Sequence, residues 1–194
     1  MPYEGLSTRY FDRPGKANLD DTLVAALQRA KALGVEHFVV ASTTGRTGLR
    51  TVELAREIGY AGQVVVVTNH AGFKEPGVQL MPAEAIQSLK DAGAIVHTAT
   101  HALSSAARSF RLKYGGIDML ETIAETLRLF GQGMKVCVEL ALMTADAGLV
   151  PVDRDIVTVG GSGGGADAAV VVRAANQNRL FDLKVREVIA MVRG

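Results

Sequence analysis

The sequence has one cysteine and few aromatic residues. Its single cysteine, Cys137, cannot form a disulfide within the chain, which suits a reducing compartment. Tryptophan is absent, and aromatic residues make up 5% of the chain. We therefore expect Ala, Val, Leu and Ile to fill the hydrophobic core.

Net charge and long apolar runs are also nearly absent. Lys and Arg number 21 against 20 Asp and Glu, which leaves a net charge of +1. No basic cluster could follow a nucleic-acid backbone, so we expect no nucleic-acid partner. No apolar run approaches the length of a membrane span, and residues 1–5 are too polar for a signal segment. We expect a cytoplasmic protein with no membrane partner.

Strand and helix patterns alternate along the first half of the chain. Strands are predicted at residues 36–41, 63–68, 94–98, 156–159, 168–172 and 185–192. Helices are predicted from an Asn18 cap to Gly34 and at residues 47–58, 82–93, 117–130 and 134–147, with an irregular or short helical segment at 99–116. The four valines at 64–67 are typical of a parallel strand covered on both faces. We predict one domain over residues 1–194, a three-layer α/β/α fold with a mainly parallel sheet that allows one antiparallel edge strand.

Ligands bind to such sheets at the carboxyl ends of the strands, and the loop after the first predicted strand has phosphate-binding chemistry. The hydroxyl groups can donate hydrogen bonds, glycine lets the backbone turn, and arginine can bind phosphate oxygens with two nitrogens. The candidate residues are Ser42, Thr43, Thr44, Gly45, Arg46 and Thr47. The alternative is an ordinary strand-to-helix connection with a threonine cap.

A glycine-rich loop follows the predicted strand at 156–159. Five of its six residues from Gly160 to Gly165 are glycine, and a close approach of backbone to ligand would explain that composition. The candidate binding residues are Gly161, Ser162, Gly165, Ala166 and Asp167. The loop does not match the dinucleotide-binding fingerprint. A flexible hairpin or crossover is the alternative.

Two further loops carry histidine. His70, Gly72 and Phe73 follow the four-valine strand, where a planar ligand ring could stack. Alternatively, His70 bonds to the loop backbone and Phe73 fills the core. His97 and His101 straddle another strand end, but zinc would need further ligands, so we expect no metal site.

The predicted helix at 134–147 is apolar on nearly all sides, as in a helix buried within a layer. Its carboxylates Glu139 and Asp146 therefore need partners. These could be the glycine-rich loop, Arg108 or Arg111, or a ligand pocket. Ion pairing and general acid–base catalysis are both open for them. Cys137 fits a small core residue better than a nucleophile.

These motifs resemble a known family. Residues 38–47 are similar to the effector-phosphate loop of the pyruvate kinase C-terminal domain, which reads Thr-Lys-Ser-Gly-Arg-Ser. Taken together, several segments resemble the stand-alone pyruvate-kinase-C-terminal-like proteins of archaea and some bacteria. The segments are residues 11–15, 39–42, 67–73, 135–139, 159–161 and 165–167. The resemblance implies a three-layer α/β fold like that of the kinase domain, without a kinase barrel or an established reaction.

The resemblance also implies a cofactor, because the family is associated with flavin mononucleotide (FMN). Its phosphate would bind at residues 42–47, and its ring near 70–73 or the glycine-rich turn. Thr43 stands where the kinase loop has lysine, which removes a strong positive charge for a sugar phosphate. The catalytic barrel is missing, so pyruvate kinase activity is excluded.

Three functions follow as hypotheses. The first is a protein that binds a phosphate-bearing small molecule, FMN above all, at the carboxyl edge of the sheet. The second is an enzyme that acts on a phosphorylated metabolite or through flavin, with His70 or Glu139 transferring protons. The third is a regulatory module that reports its ligand state to a partner. Self-association is expected from the resemblance and from apolar residues at 117–130.

Overall fold

The structure is a computed structural model that describes residues 5–193. Residues 1–4 and Gly194 lie outside the described residues. The prediction that residues 1–5 are not a signal segment therefore falls almost wholly outside them. The predicted domain, residues 1–194, also extends beyond them at both ends.

Seven strands form one sheet within the described residues. They are β1 (Arg9–Phe11), β2 (His37–Ala41), β3 (Gln63–Asn69), β4 (Ile95–Ala99), β5 (Asp155–Gly160), β6 (Ala168–Arg173) and β7 (Lys184–Val192). Their order across the sheet is β1-β7-β6-β5-β2-β3-β4. All neighbours pair in parallel except that β6 is antiparallel to both β5 and β7.

Six α-helices and two short 3-10 helices are present in the same part of the chain. The α-helices are α1 (Leu19–Leu33), α2 (Arg46–Ile58), α3 (Ala83–Asp91), α4 (Ser105–Tyr114), α5 (Met119–Arg128) and α6 (Gln132–Asp146). The 3-10 helices span Lys16–Asn18 and Gln177–Asp182. None of the helices described between residues 5 and 193 has the length and apolar character to span a membrane.

The helices cover both faces of the sheet. Phe38 and Val40 of β2 belong to a core on one face, together with residues of α1, α2 and α3. Val39, between them, belongs to the core on the other face with residues of α5 and α6. Side chains of a strand point alternately to opposite faces, so a strand buried on both faces is apolar throughout. The three-layer α/β fold predicted from the sequence is confirmed.

The structure corrects three details of the prediction and, for the segment 99–116, decides between the two predicted alternatives. The antiparallel strand is not at an edge, because β6 lies inside the sheet between β5 and β7. The edge strand β1 has only three residues, too few for a periodic pattern to be recognised. The segment 99–116, predicted as irregular or short helical, contains the ten-residue helix α4. The Asn18 side chain does not cap α1 but donates to the carbonyl oxygen of Arg13.

The path of the chain creates a topological switch point. From β2 the chain runs outward through α2 and α3 to β3 and β4, and then returns to β5 on the other side of β2. The loops after β2 and β5 therefore leave neighbouring parallel strands in different directions. Such a divergence opens a crevice at the carboxyl ends of the strands, where ligands bind in open α/β sheets.

Candidate ligand-binding site

A cavity of about 550 Å³ lies at this switch point. Its wall includes Ser42 and Thr43 after β2, Thr68 and Asn69 at the end of β3, and the glycine-rich loop after β5. Residues of α4, α5 and α6 complete the wall on the side opposite α1 and α2. The volume lies within the range of small-molecule sites in proteins.

Asn69 joins two of the loops around the cavity. Its Nδ2 donates to Thr43 Oγ1 over 3.3 Å, and its Oδ1 lies 3.0 Å from His101 Nε2. The Thr68 hydroxyl donates to the carbonyl oxygen of Thr43 over 3.3 Å. Gln79 adds a bond from its amide nitrogen to the Asn69 carbonyl oxygen over 3.2 Å. The loops after β2, β3 and β4 are thus held in one fixed arrangement.

Three aromatic rings meet beside this network. The ring centroids of His70, Phe73 and His101 lie 5.3–5.8 Å apart, and each pair is in an edge-to-face arrangement. Phe73 and His101 line the cavity, whereas His70 lies behind them and its Nδ1 lies 2.8 Å from the Ala71 carbonyl oxygen. Burial lowers the pKa of His101, so its imidazole is neutral at pH 7.

Three ion pairs lie in the cavity wall. Arg111 of α4 bonds to Glu121 of α5 over 2.9 Å, which ties the two helices together. Arg128 pairs with Glu125 within α5, and Lys135 pairs with Glu139 within α6. The last pair is buried, and Glu139 Oε1 also accepts the backbone N–H of Leu103 over 2.9 Å. Burial lowers the pKa of Lys135.

The loop at 42–47 contributes only Ser42 and Thr43 to the cavity wall. The Ser42 hydroxyl accepts the backbone N–H of Gly48 over 3.1 Å and so caps the first turn of α2. Gly45 has φ +94° and packs against Ala85 of α3, and Thr47 is buried. Thr44 and Arg46 are exposed and lie outside the wall.

The glycine-rich loop connects the antiparallel strands β5 and β6, as in the hairpin alternative. Gly163 (φ +57°) and Gly164 (φ +79°) form the tip of a turn closed by a 3.0 Å bond from Gly165 N to the Ser162 carbonyl oxygen. This conformation favours glycine at both positions. Both tip residues and Gly161 line the cavity.

Several glycines of this loop allow the protein's own backbone to pack closely. A Cβ at Gly165 would lie 2.5 Å from the Gly15 carbonyl carbon, and a Cβ at Gly161 would overlap the Gly165 carbonyl oxygen. The buried Asp167 accepts the N–H groups of Gly15 over 3.0 Å and of Ser162 over 3.2 Å. Burial raises the pKa of Asp167. Close packing within the chain therefore accounts for part of the glycine content.

The predicted binding residues divide into two groups. Ser42, Thr43, Phe73 and Gly161 line the cavity. The others lie outside its wall and are Thr44, Gly45, Arg46, Thr47, His70, Gly72, Ser162, Gly165, Ala166 and Asp167. His70 contacts the rings of the lining residues Phe73 and His101, and Asp167 accepts the backbone N–H of Ser162, which lies between the lining glycines Gly161 and Gly163. Whether any of these residues binds a ligand remains a prediction.

Cys137 and Asp146 have structural partners. The Cys137 thiol is fully buried, donates to the carbonyl oxygens of Thr158 and Ala168, and has its pKa raised by burial to about 12. Asp146 accepts the backbone N–H of Gln177 over 3.0 Å and the Asn176 amide over 3.1 Å. Between residues 5 and 193, no three His, Cys, Asp or Glu side chains are grouped as a metal site would require.

Much of the cavity wall was not predicted from the sequence. The N-cap residue of α4 and residues of α4 and α5 line it, namely Ser104, Ala107, Arg108, Arg111, Glu121, Ala124, Glu125 and Arg128. The available signal was a run of basic residues at 108–113 with acids at 121 and 125, spaced as on two facing helices. From the sequence, Arg108 and Arg111 were expected only as partners for buried acids.

Comparison with known families agrees with the architecture. The family model for the pyruvate kinase alpha/beta domain matches residues 20–172. The match begins in α1 and ends in β6, so it includes the switch point and the loops after β2, β3, β4 and β5. It covers well over half of the chain. The chain belongs to the pyruvate kinase alpha/beta domain family.

Proposed function

We propose that this protein binds a phosphate-bearing small molecule with a planar ring, FMN in the first place, in the cavity at the carboxyl edge of the sheet. The observation that carries the proposal is the cavity itself. It lies at the switch point between β2 and β5, and its wall combines aromatic rings with hydroxyl, amide and backbone groups. Open α/β sheets bind ligands at such switch points, and the large polar and charged share of this wall suits a phosphorylated ligand.

The residues of the wall suit the chemical parts of FMN. Phe73 and His101 offer ring surfaces, and burial keeps the His101 imidazole neutral. Thr43, Ser104 and the tip of the glycine-rich turn offer polar groups for the sugar chain and phosphate. Bound flavin would supply redox chemistry, and these residues would hold and orient it.

Titration of the purified protein with FMN tests the proposal. We expect saturable binding, followed by calorimetry and by the change in flavin fluorescence. At a hundredfold excess of FMN over its Kd, the free energy of unfolding should rise by about 2.7 kcal/mol. The absence of both saturable binding and thermal stabilisation would contradict the FMN proposal.

A matched pair of variants locates the ring. Phe73→Ala removes a ring from the cavity wall and should weaken FMN binding about 3- to 10-fold, as expected for one aromatic contact. Phe181→Ala removes a ring that is 84% exposed and lies outside the wall, so it should leave the affinity unchanged. Equal effects of the two variants would place the flavin elsewhere.

An enzyme is the second candidate, because titratable groups meet in the wall. His101 and Lys135 both have pKa values lowered by burial, and Glu139 lies beside Lys135. Such groups are candidates for proton transfer. Oxidation of NADH or NADPH by the FMN-loaded protein would favour a flavin enzyme over a binding protein or regulatory module.

A further inference from the structure

The charges in the cavity wall do not balance, and the excess belongs to one side chain. The cationic residues of the wall are Arg108, Arg111, Arg128 and Lys135, and the acidic ones are Glu121, Glu125 and Glu139. Three of the cations are paired with the three acids. Arg108 forms no ion pair or side-chain hydrogen bond with any residue between 5 and 193. The wall therefore carries a net charge of +1, located at Arg108.

Ser104 lies on the same side of α4 as Arg108. The two are four residues apart, and the Arg108 N–H donates to the Ser104 carbonyl oxygen over 2.8 Å, so both side chains are on one face of the helix. Both line the cavity. Ser104 is the N-cap residue of α4, yet its hydroxyl does not cap the helix and bonds to none of the described residues. A hydroxyl donor and a guanidinium are thus presented together to the cavity.

The position of Arg108 relative to the aromatic rings is also favourable. Arg108 lines the same cavity as Phe73 and His101, and its charge contributes to lowering the pKa of His101, after burial, Lys135 and His70. A ligand whose ring contacts Phe73 or His101 can therefore bring an anionic group to Arg108. Guanidinium binds phosphate oxygens with two nitrogens and does not lose its charge at any physiological pH.

We infer that Arg108 and Ser104 form the phosphate subsite of this cavity, in place of the loop at 42–47. In that loop, the Ser42 hydroxyl caps α2, and Arg46 lies outside the wall. Arg46 also forms no ion pair with any described residue, which makes it a matched control for Arg108. The inference deepens the proposed function, and one arm of the test does not depend on FMN.

The first arm compares FMN with riboflavin, which lacks the phosphate. Arg108→Gln should weaken FMN binding by about 10- to 100-fold, the loss expected for charge-assisted hydrogen bonds, and leave riboflavin affinity unchanged. Arg46→Gln should change neither affinity. Arg108 is exposed and unpaired, so its variant should fold normally, as a circular dichroism spectrum and the Tm would check. The inference is overturned if Arg108→Gln weakens both ligands equally, or if Arg46→Gln causes the loss.

The second arm uses inorganic phosphate, with amide NMR shifts of α4 as the readout at constant ionic strength. We expect saturable shifts at Ser104 and its neighbours, and their loss in Arg108→Gln but not in Arg46→Gln. Failure of FMN to bind while phosphate still shifts these amides would reject FMN and keep the subsite. If phosphate causes no saturable shift in the wild-type protein, the inference is wrong.

Discussion

Glycine at position 133 is required by the contact between α6 and the sheet. A Cβ there would lie 2.5 Å from Asp167 Oδ1 and 2.7 Å from the Ala168 Cβ. Gly133 lies in the first turn of α6. Its missing side chain allows the start of α6 to lie directly on the beginning of β6 and on the base of the glycine-rich loop. Close packing between α6 and the loop thus fixes the residues next to the cavity wall.

His101 illustrates how burial at the cavity affects stability. Burial is the main cause of its lowered pKa. The positive charges of Lys135, His70 and Arg108 lower the pKa further, whereas the negative charge of Glu139 raises it. In the folded protein His101 therefore takes up a proton at lower pH than its usual 6.5. The unfolded chain binds that proton first, so the free energy of unfolding should fall as the pH falls below 6.5.

Replacing His101 tests this pH dependence. His101→Gln can donate to the side-chain oxygen Oδ1 of Asn69 but cannot titrate, so the unfolding free energy should decrease less between about pH 7.5 and 5 than in the wild type. Urea unfolding at several pH values measures the difference. His97, whose pKa is also lowered by burial, is present in both proteins, so the comparison isolates His101. If the unfolding free energy depends on pH in the same way in both proteins, His101 is not the cause of this dependence.

At the scale of a single element, α6 holds its only acid–base pair in the protein interior. Lys135 and Glu139 are one turn apart, and both side chains are 4% exposed. Glu139 also accepts the N–H of Leu103, so the pair joins α6 to the chain just before α4. Removing one member of a buried pair leaves an uncompensated charge, which is far more costly than replacing both.

A double-mutant cycle tests this arrangement. Lys135→Met alone should lower the free energy of unfolding by about 3–5 kcal/mol, because Glu139 remains buried without its cation. The double variant Lys135→Met with Glu139→Gln keeps an acceptor for Leu103 and should be less destabilised than the sum of the single changes. Urea unfolding measures each variant. The exposed pair Arg179–Asp182 serves as the control and should show little coupling. Additive effects at 135 and 139 would contradict the prediction.

The elements of the chain differ in how well the sequence predicts them. Strands β2 and β3 have continuous apolar runs, at residues 38–41 and 64–67, and begin and end within one residue of their predicted bounds, because burial on both faces leaves a clear pattern. Strand β6 is equally apolar, so nothing in its composition distinguishes an internal antiparallel strand from a parallel one. Pairing direction depends on the path of the chain, and short-range patterns do not contain it.

For a similar reason, the sequence predicts only part of the candidate site. The loops after β2, β3 and β5 were identified because parallel strands bring their carboxyl ends to one edge. Arg108 was not recognised as a lining residue, because this depends on how α4 packs beside α5 and α6. The role of Ser42 as a helix cap also depends on geometry, since a serine before a helix can either cap it or donate to a ligand.

At the scale of the whole molecule, α4 and α5 present apolar side chains away from the cavity. On α4, Phe110 is 63% and Tyr114 is 69% exposed, and their ring centroids lie 5.9 Å apart. Near the ends of α5, Met119 is 83% and Leu129 is 80% exposed. Large exposed apolar side chains grouped in this way are typical of protein–protein interfaces.

We therefore predict that the protein self-associates through the face of α4 that carries Phe110 and Tyr114. Most soluble homo-oligomers are symmetric, so the same patch on two copies would become buried together. Size-exclusion chromatography with light scattering should give at least a dimer for the wild type and a smaller species for Phe110→Ser with Tyr114→Ser. Phe181→Ser, which removes a more exposed ring outside α4 and α5, should leave the mass unchanged. A monomeric wild type, or an unchanged mass in the double variant, would rule out this surface as the interface. Retained FMN affinity in the double variant would show that ligand binding in the cavity does not depend on self-association.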